Sequence, residues 1–187
     1  AGFTDQSAQQ GEMCCGYPIL GKDEVLFSIY SRGVRNAAVG IGHVGNASVR
    51  NRVYREAVQI GFVFPNIVHP ASVLSDRMIC GNGIQFLANC VVNAEAEIGS
   101  LCIINTGAVV EHEAKLGDGV HVAPRAVVLG QASVGDNTFV GAGSVILQGV
   151  HVGKNCIIGA GSVVLHDVED DSVIVGNPGQ LLRRRIT

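Results

Sequence analysis

The sequence predicts a mainly β protein: a parallel β solenoid of triangular cross-section, preceded by a small α/β region. Three observations carry this. From Val68 to Val164 every sixth residue is apolar, through Leu74, Cys80, Phe86, Val92, Ile98 and Ile104 to Val152 and Ile158. Four residues after many of these comes a mostly small partner, as at Ala96, Cys102, Ala108, Ala114, Ala126, Ala132 and Ser144. Gly99, Gly117, Gly135 and Gly153 then recur every eighteen residues. A strict period of six fits neither a 3.6-residue helix nor simple strand alternation, and points to stacked repeats. Each hexapeptide supplies one short strand and one corner. Its large residue plugs a narrow interior, beside a small partner where two large ones would clash. Three hexapeptides close one coil, and residues that tolerate tight backbone, as in Gly117-Asp118-Gly119 and Gly135-Asp136-Asn137, mark one of its corners.

Residues 1–66 lack the period and form the first domain; residues 67–187 form the second. Within the first, Ala1 to Asp5 reads as the end of a strand entering a loop. Gly16 to Gly21 is a turn with a short apolar segment, and Asp23 to Tyr30 a short helix. Asn36 to Ile41 reads as an apolar strand, and Asn46 to Ile60 has the spacing of an amphipathic helix through Val49, Val53, Ala57 and Ile60. Strands alternating with helices predict a small parallel sheet. Gly40-Ile41-Gly42-His43-Val44-Gly45 matches the dinucleotide-binding glycine pattern, but no acidic residue ends a second strand about twenty residues on, so the motif reads as a tight strand-to-helix turn that a phosphate or sugar could approach. At the far end, Val173 to Gly179 closes the coil and Gln180 to Ile186 is expected to cap it as a helix, because an open solenoid end exposes its core.

Composition narrows the function classes. Only 16% of the 187 residues are charged, and the formal net charge is −3, so neither nucleic acid nor an anionic membrane is expected as a partner. No apolar run reaches membrane-spanning length. Four of the six cysteines, Cys80, Cys90, Cys102 and Cys156, fall on interior positions, where a thiol acts as a small apolar plug. With no Cys-x-x-Cys pair, no metal is expected, and the compartment reads as a reducing cytoplasm.

One polar cluster interrupts the repeat: Asn105, Glu111, His112, Glu113 and His121. The frame places His112 at a corner, facing out, with Gly130 stacked eighteen residues on, so that space opens above the imidazole. His121 takes an outward position whose stacked successors are Phe139 and Ile157, an exposed apolar stripe of the kind that marks an interface or groove. The two histidines lie half a coil apart, more than about 10 Å within one chain at a rise of roughly 3.3 Å per residue. If both serve one site, the second comes from a neighbouring subunit, which predicts a homotrimer packed along its solenoid edges. His43, His69, His151 and His166 read as ordinary surface residues.

The run Asn105-Thr106-Gly107-Ala108-Val109-Val110-Glu111-His112-Glu113, with Leu116-Gly117 and His121-Val122 following, resembles the catalytic segment of the nucleotide-sugar acetyltransferases. That family includes the UDP-4-amino-sugar N-acetyltransferases and the sialic-acid O-acetyltransferases. The resemblance extends to Gly2-Phe3-Thr4-Asp5, Gly16 to Gly21, Phe64 to Pro70 and Val175-Gly176-Asn177-Pro178. It implies a left-handed parallel β-helix, although crossovers in β-sheets are usually right-handed. It implies acetyl-CoA as co-substrate and a sugar amine or hydroxyl as acceptor. His112 would be the general base, with Glu113 orienting its ring. Asn105 would position the acceptor, and His121 and the Gly130 backbone would meet the thioester or its oxyanion. Ala142 and Ala160 would form the wall along the pantetheine arm, and Asp5, Gly40 and Gly42 are candidate sugar contacts. The chain opens where the family's second strand ends, so the first domain is expected to be a truncated Rossmann-like unit.

Two other functions use the same solenoid. A γ-type carbonic anhydrase needs two histidines about five residues apart and a third from a neighbouring coil, and neither His112 nor His121 has such a companion. A catalytically idle trimeric scaffold that keeps only the donor site is the other.

Overall fold

The computed structural model describes residues 1–185. The chain divides into two compact units, one formed by Ala1–Val39 and Arg50–Phe64, the other by Gly40–Val49 and Pro65–Thr187.

In the first unit β1 (Phe3–Thr4), β2 (Met13–Cys14) and β3 (Tyr17–Gly21) form a sheet in the order β1-β3-β2, parallel between β1 and β3 and antiparallel between β3 and β2. A 3-10 turn, Asp23–Val25, leads into α1 (Leu26–Ser31), and Thr4 donates a hydrogen bond of 2.9 Å to Asp23. The helix read from Asn46 is α2 (Ser48–Ile60), which buries Arg50 and Ala57. Edge-to-face pairs Tyr30–Phe62 and Tyr54–Phe64 pack this unit's small core. The strand expected over Asn36 to Ile41 does not form. Only Asn36 bridges Val63, with Ala37 N–H bonding the Val63 carbonyl. The Val39 carbonyl accepts from the buried Arg50 guanidinium at 3.0 Å, which takes that backbone out of any ladder.

The second unit is the solenoid, a left-handed parallel β-helix with three faces. The first face carries Ile67–Val68, Gln85–Phe86, Ile103–Ile104, His121–Val122, Phe139–Val140, Ile157–Ile158 and Ser172–Val175. The second runs from Val73–Leu74 through Val109–Val110 to Val163–Val164, and the third from Ile79–Cys80 through Lys115–Leu116 to His151–Val152. Register advances one coil at a time: Ile103 pairs His121, Val109 pairs Val127, and Lys115 pairs Ser133. Two-residue strands suffice because each strand inside the stack hydrogen-bonds to the coils above and below it, and those at the ends of the sheets to one neighbour.

The sixfold residues fill the interior as the spacing predicts. Ile104, Val110, Val122, Val128, Val140 and Ile158 are fully buried, and so are their partners Ala108, Ala114, Ala126 and Ala132. Cys90, Cys102 and Cys156 are buried among them, and burial pushes the Cys90 and Cys156 thiols up, away from reactivity. The first coil differs. Val68 and Cys80 are exposed, because this coil is the open end of the stack; Cys80 is therefore not the interior plug the spacing implies. Corners turn through left-handed backbone, which non-glycine residues such as Leu101, Glu113, Arg125 and Gln131 adopt here.

The far end corrects another expectation. Gln180–Arg184 is not a helix but an antiparallel strand on Ser172–Val175, and Ile186 lies outside the described residues. Pairing to an available sheet edge overrides the helix preference of Gln-Leu-Leu-Arg-Arg. Arg184 adds an ion pair to Glu169 and a hydrogen bond of 3.1 Å to the Asp170 carbonyl. Arg183 and Arg184 thus lie on an exposed strand.

Candidate active site

His112 and Glu113 occupy the corner between the second and third faces. Glu113 has φ near 59°, so the two adjacent side chains turn to the same side, which a flat strand would forbid. His112 Nδ1 lies 3.1 Å from Glu113 Oε2, an arrangement in which the ring nitrogen donates. Gln131, one coil above, donates to the same oxygen at 3.2 Å. The His112 N–H, and after it the Gln131 amide, hold the Glu113 carboxyl below the usual carboxylate range. Glu111 is the underside of this corner: it accepts from Asn93 at 2.8 Å and from the His112 backbone N–H at 3.3 Å.

With Nδ1–H fixed on Glu113, Nε2 carries the lone pair. It lies over Gly130, where a Cβ would sit 2.6 Å from both Nε2 and Cε1. The gap anticipated above His112 is therefore taken up by the ring itself. The ring stays half exposed. The Gly130 N–H has no protein acceptor among the described residues, whereas its carbonyl accepts from Gly149 at 3.0 Å.

Asn105 and His121 meet at the opposite edge of the second face. Asn105 Oδ1 accepts the Thr106 N–H at 2.7 Å, which fixes its amide so that Nδ2 donates to His121 Nε2 at 3.1 Å. His121 Nδ1 then donates to the His43 carbonyl at 2.9 Å. Both ring nitrogens are engaged, and Nε2, as an acceptor, is not set to donate to an oxyanion.

His121 stacks on Phe139 and Ile157 as the frame predicts, but the stripe is not open. The segment Gly40–Val49 lies over it. His43 is buried, not a surface residue: its ring packs 5.6 Å from the His121 ring and 6.3 Å from that of Phe139, and its Nε2 donates to the Gly119 carbonyl at 2.9 Å. Gly45, at φ near 80°, sits so close to Ile157 that no side chain fits between them. Within the glycine motif this third glycine makes the close approach; Gly40 and Gly42 face open space with no left-handed backbone. No local pattern marks the role of His43, since the segment lies outside the repeat and its partners are far along the chain.

Asp5 lies in the first unit, and its Oδ1 accepts from the Ser7 N–H, the Ser7 hydroxyl and the Ala8 N–H at 2.7–2.9 Å. The Ser7 N–H leads in holding its carboxyl below the ordinary range. Ala142 and Ala160 are exposed at the corner between the first and second faces, each followed by a glycine with open space around it.

A further feature escaped the sequence reading. The outward residues of the second face are Val73, Val91, Val109, Val127, Val145 and Val163, an unbroken valine ladder. Reading outward positions at the coil period of eighteen finds it. His112 lies along one edge of this ladder, and Asn105 with His121 along the other. By contrast, a shallow recess of about 440 Å³ on the third face includes none of these three residues. Among the described residues no three His, Cys, Asp or Glu side chains converge as a metal set, and no helix is long and apolar enough to cross a membrane.

Comparison with known proteins agrees with this fold. Residues 131–166 match the family described as the hexapeptide repeat of succinyl-transferase, and residues 113–148 the bacterial transferase hexapeptide (six repeats). A mutant perosamine N-acetyltransferase from Caulobacter crescentus, solved with CoA and GDP-perosamine, is 33% identical over 96% of this chain and 83% of that one, with a TM-score of 0.92. The acetyltransferase domain of PglB from Neisseria gonorrhoeae, solved with acetyl coenzyme A, is 30% identical over 97% and 85%, with a TM-score of 0.88. WeeI from Acinetobacter baumannii is 25% identical over 97% and 85%, with a TM-score of 0.86. These matches define the protein as an acyltransferase. The chain belongs to the hexapeptide-repeat nucleotide-sugar acetyltransferases.

Proposed function

We propose that this chain moves an acetyl group from acetyl-CoA to the amine of a nucleotide-linked amino sugar, at sites shared between subunits of a homotrimer. The observation that carries the chemistry is the His112 ring, held through Nδ1–H by Glu113 with its Nε2 lone pair free over Gly130. In the reaction, the acceptor nitrogen attacks the thioester carbonyl carbon while Nε2 takes its proton. Collapse of the tetrahedral intermediate breaks the carbon–sulfur bond, and the imidazolium returns the proton to the departing thiolate. Glu113, ionised, stabilises the imidazolium in between. The Gly130 N–H meets the oxyanion.

The remaining residues take positioning roles. Asn105 and His121, locked together, form the wall that orients the acceptor against the thioester. Ala142 and Ala160 leave the smooth surface for the pantetheine arm. Asp5, Gly40 and Gly42 are candidate contacts for the acceptor, and Asp5→Asn with a raised acceptor KM would support that role.

The valine ladder supports the assembly. An apolar face six valines long is larger than single scattered surface residues explain. Packing this face around a threefold axis brings the His112 edge of one subunit to the Asn105–His121 edge of the next, so the site is complete only between chains. The free cysteines and the acetyl-CoA donor fit a cytoplasmic setting.

The test is thiol release from acetyl-CoA with GDP-perosamine and UDP-4-amino sugars as acceptors. Release that depends on the amino sugar and is lost in His112→Ala supports the reading. Acetyl-CoA binding with no release on any amino sugar would replace it with an idle scaffold.

A further inference from the structure

We propose that His43 is a positioning residue of the transfer site, holding His121 in the single tautomer that carries its proton on Nδ1. This rests on the site reading above, in which His121 orients Asn105.

The hydrogen bonds form a directed series in which each member fixes the next. The Thr106 N–H donates to Asn105 Oδ1, which leaves the Asn105 amide as a donor. That amide reaches His121 Nε2 at 3.1 Å, so Nε2 must accept. A neutral imidazole that accepts at one nitrogen donates at the other, and Nδ1 finds the His43 carbonyl at 2.9 Å. The proton therefore sits on Nδ1, and what sets it there is a carbonyl in the segment Gly40–Val49, far in sequence from the repeat.

The His43 side chain keeps that carbonyl in place. Its Nε2 donates to the Gly119 carbonyl at 2.9 Å, two residues before His121. Its ring lies edge-on to both His121 and Phe139. Gly45 seats the same segment against Ile157 one coil further on. One histidine thus clamps both the backbone leading into His121 and the acceptor for its proton. Loss of the clamp frees the carbonyl, releases Nδ1–H, and lets Nε2 take the proton and turn the Asn105 amide away.

The experiment combines nitrogen-15 NMR of histidine-labelled protein with steady-state kinetics on wild type, His43→Ala, His43→Gln and His121→Ala. His43→Gln retains an N–H that can reach Gly119, and keeps the proposal testable if His43→Ala folds poorly. The expected result is one Nδ1–H tautomer at His121 in wild type and mixed tautomers in His43→Ala. kcat in His43→Ala is expected to fall about ten- to a hundredfold, the scale for a site group displaced by up to an ångström, with the acetyl-CoA KM little changed and much of the loss recovered in His43→Gln. An Nε2–H tautomer in wild type overturns the proposal, as does an unaltered tautomer and kcat in His43→Ala. The tautomer is read without turnover, so the two failures separate. Wild-type kcat in His121→Ala would refute the site assignment, whereas a slow His121→Ala beside a fast His43→Ala would refute only the role of His43.

Discussion

The backbone of Gly130 and the ring of His112 claim one volume: a Cβ on Gly130 would stand 2.6 Å from both Nε2 and Cε1 of the imidazole. Glycine is needed here for space, since the residue does not adopt left-handed backbone. Gly130→Ala is therefore expected to fold and assemble as wild type but push the ring off Glu113. A displacement near 1 Å lowers kcat by about 10²-fold. Gly130→Val should lower acetyl-CoA affinity as well, measured by calorimetry; an unchanged affinity would move the donor groove elsewhere.

His112→Ala removes the base itself. The expected fall in kcat is roughly 10²–10⁴-fold, with the melting temperature little changed because the side chain is half exposed. Turnover at the wild-type rate would take His112 out of the mechanism.

The Glu113 carboxyl gives a pH prediction. Its pKa lies below the ordinary glutamate value because the His112 and Gln131 N–H groups favour the ionised form. A depressed carboxylate contributes stability above its unfolded pKa, about 4.3, and loses it as pH falls through the lower folded value. In a carbon-13 NMR titration Glu113 should have its midpoint below the ordinary glutamate value of about 4.3, and Gln131→Ala should raise it. A midpoint that Gln131→Ala leaves in place would separate the two residues.

Subunit sharing is tested by mixing. His112→Ala and His121→Ala are each expected to be nearly inactive alone. Co-refolded at equal amounts, they should recover about a quarter of the wild-type rate, since one neighbour pair in four combines the intact halves of a C3 interface. Val127→Asp, in the middle of the valine ladder, should give a single-chain mass by light scattering with β-rich circular dichroism retained. Recovery of no activity in the mixture would place each site within one chain.

The interior makes a stability prediction. Ile104 is fully buried between coils, so Ile104→Ala should cost about 2–5 kcal/mol by lost burial and residual cavity. Urea denaturation measures it, and a cost under about 1 kcal/mol would mean the coil collapses around the gap.

What the sequence made legible was whatever repeats. Period six placed Ile104, Val110 and Val128 inside, and period eighteen placed Gly130 over His112 and Phe139 beside His121, because each coil copies the geometry of the last. Features made once were not legible. His43 acquires its place from Gly119 and His121, more than seventy residues away, and no local pattern records that. The strand at Gln180–Arg184 is not legible because its residues prefer helix in isolation, a preference that the open edge at Ser172–Val175 outweighs. The exposure of Cys80 is hidden for a related reason: periodicity identifies an interior position but not whether a coil exists on both sides of it.

That last strand also bears on how the protein avoids fibre formation. Coils in parallel register are a template onto which further coils, from any chain, can be added without limit. Gln180–Arg184 reverses direction on the first face, so what it presents outward is an antiparallel edge studded with Arg183 and Arg184, in the wrong polarity and with the wrong charge for another coil to continue the stack. One reversed strand makes the solenoid finite at that face.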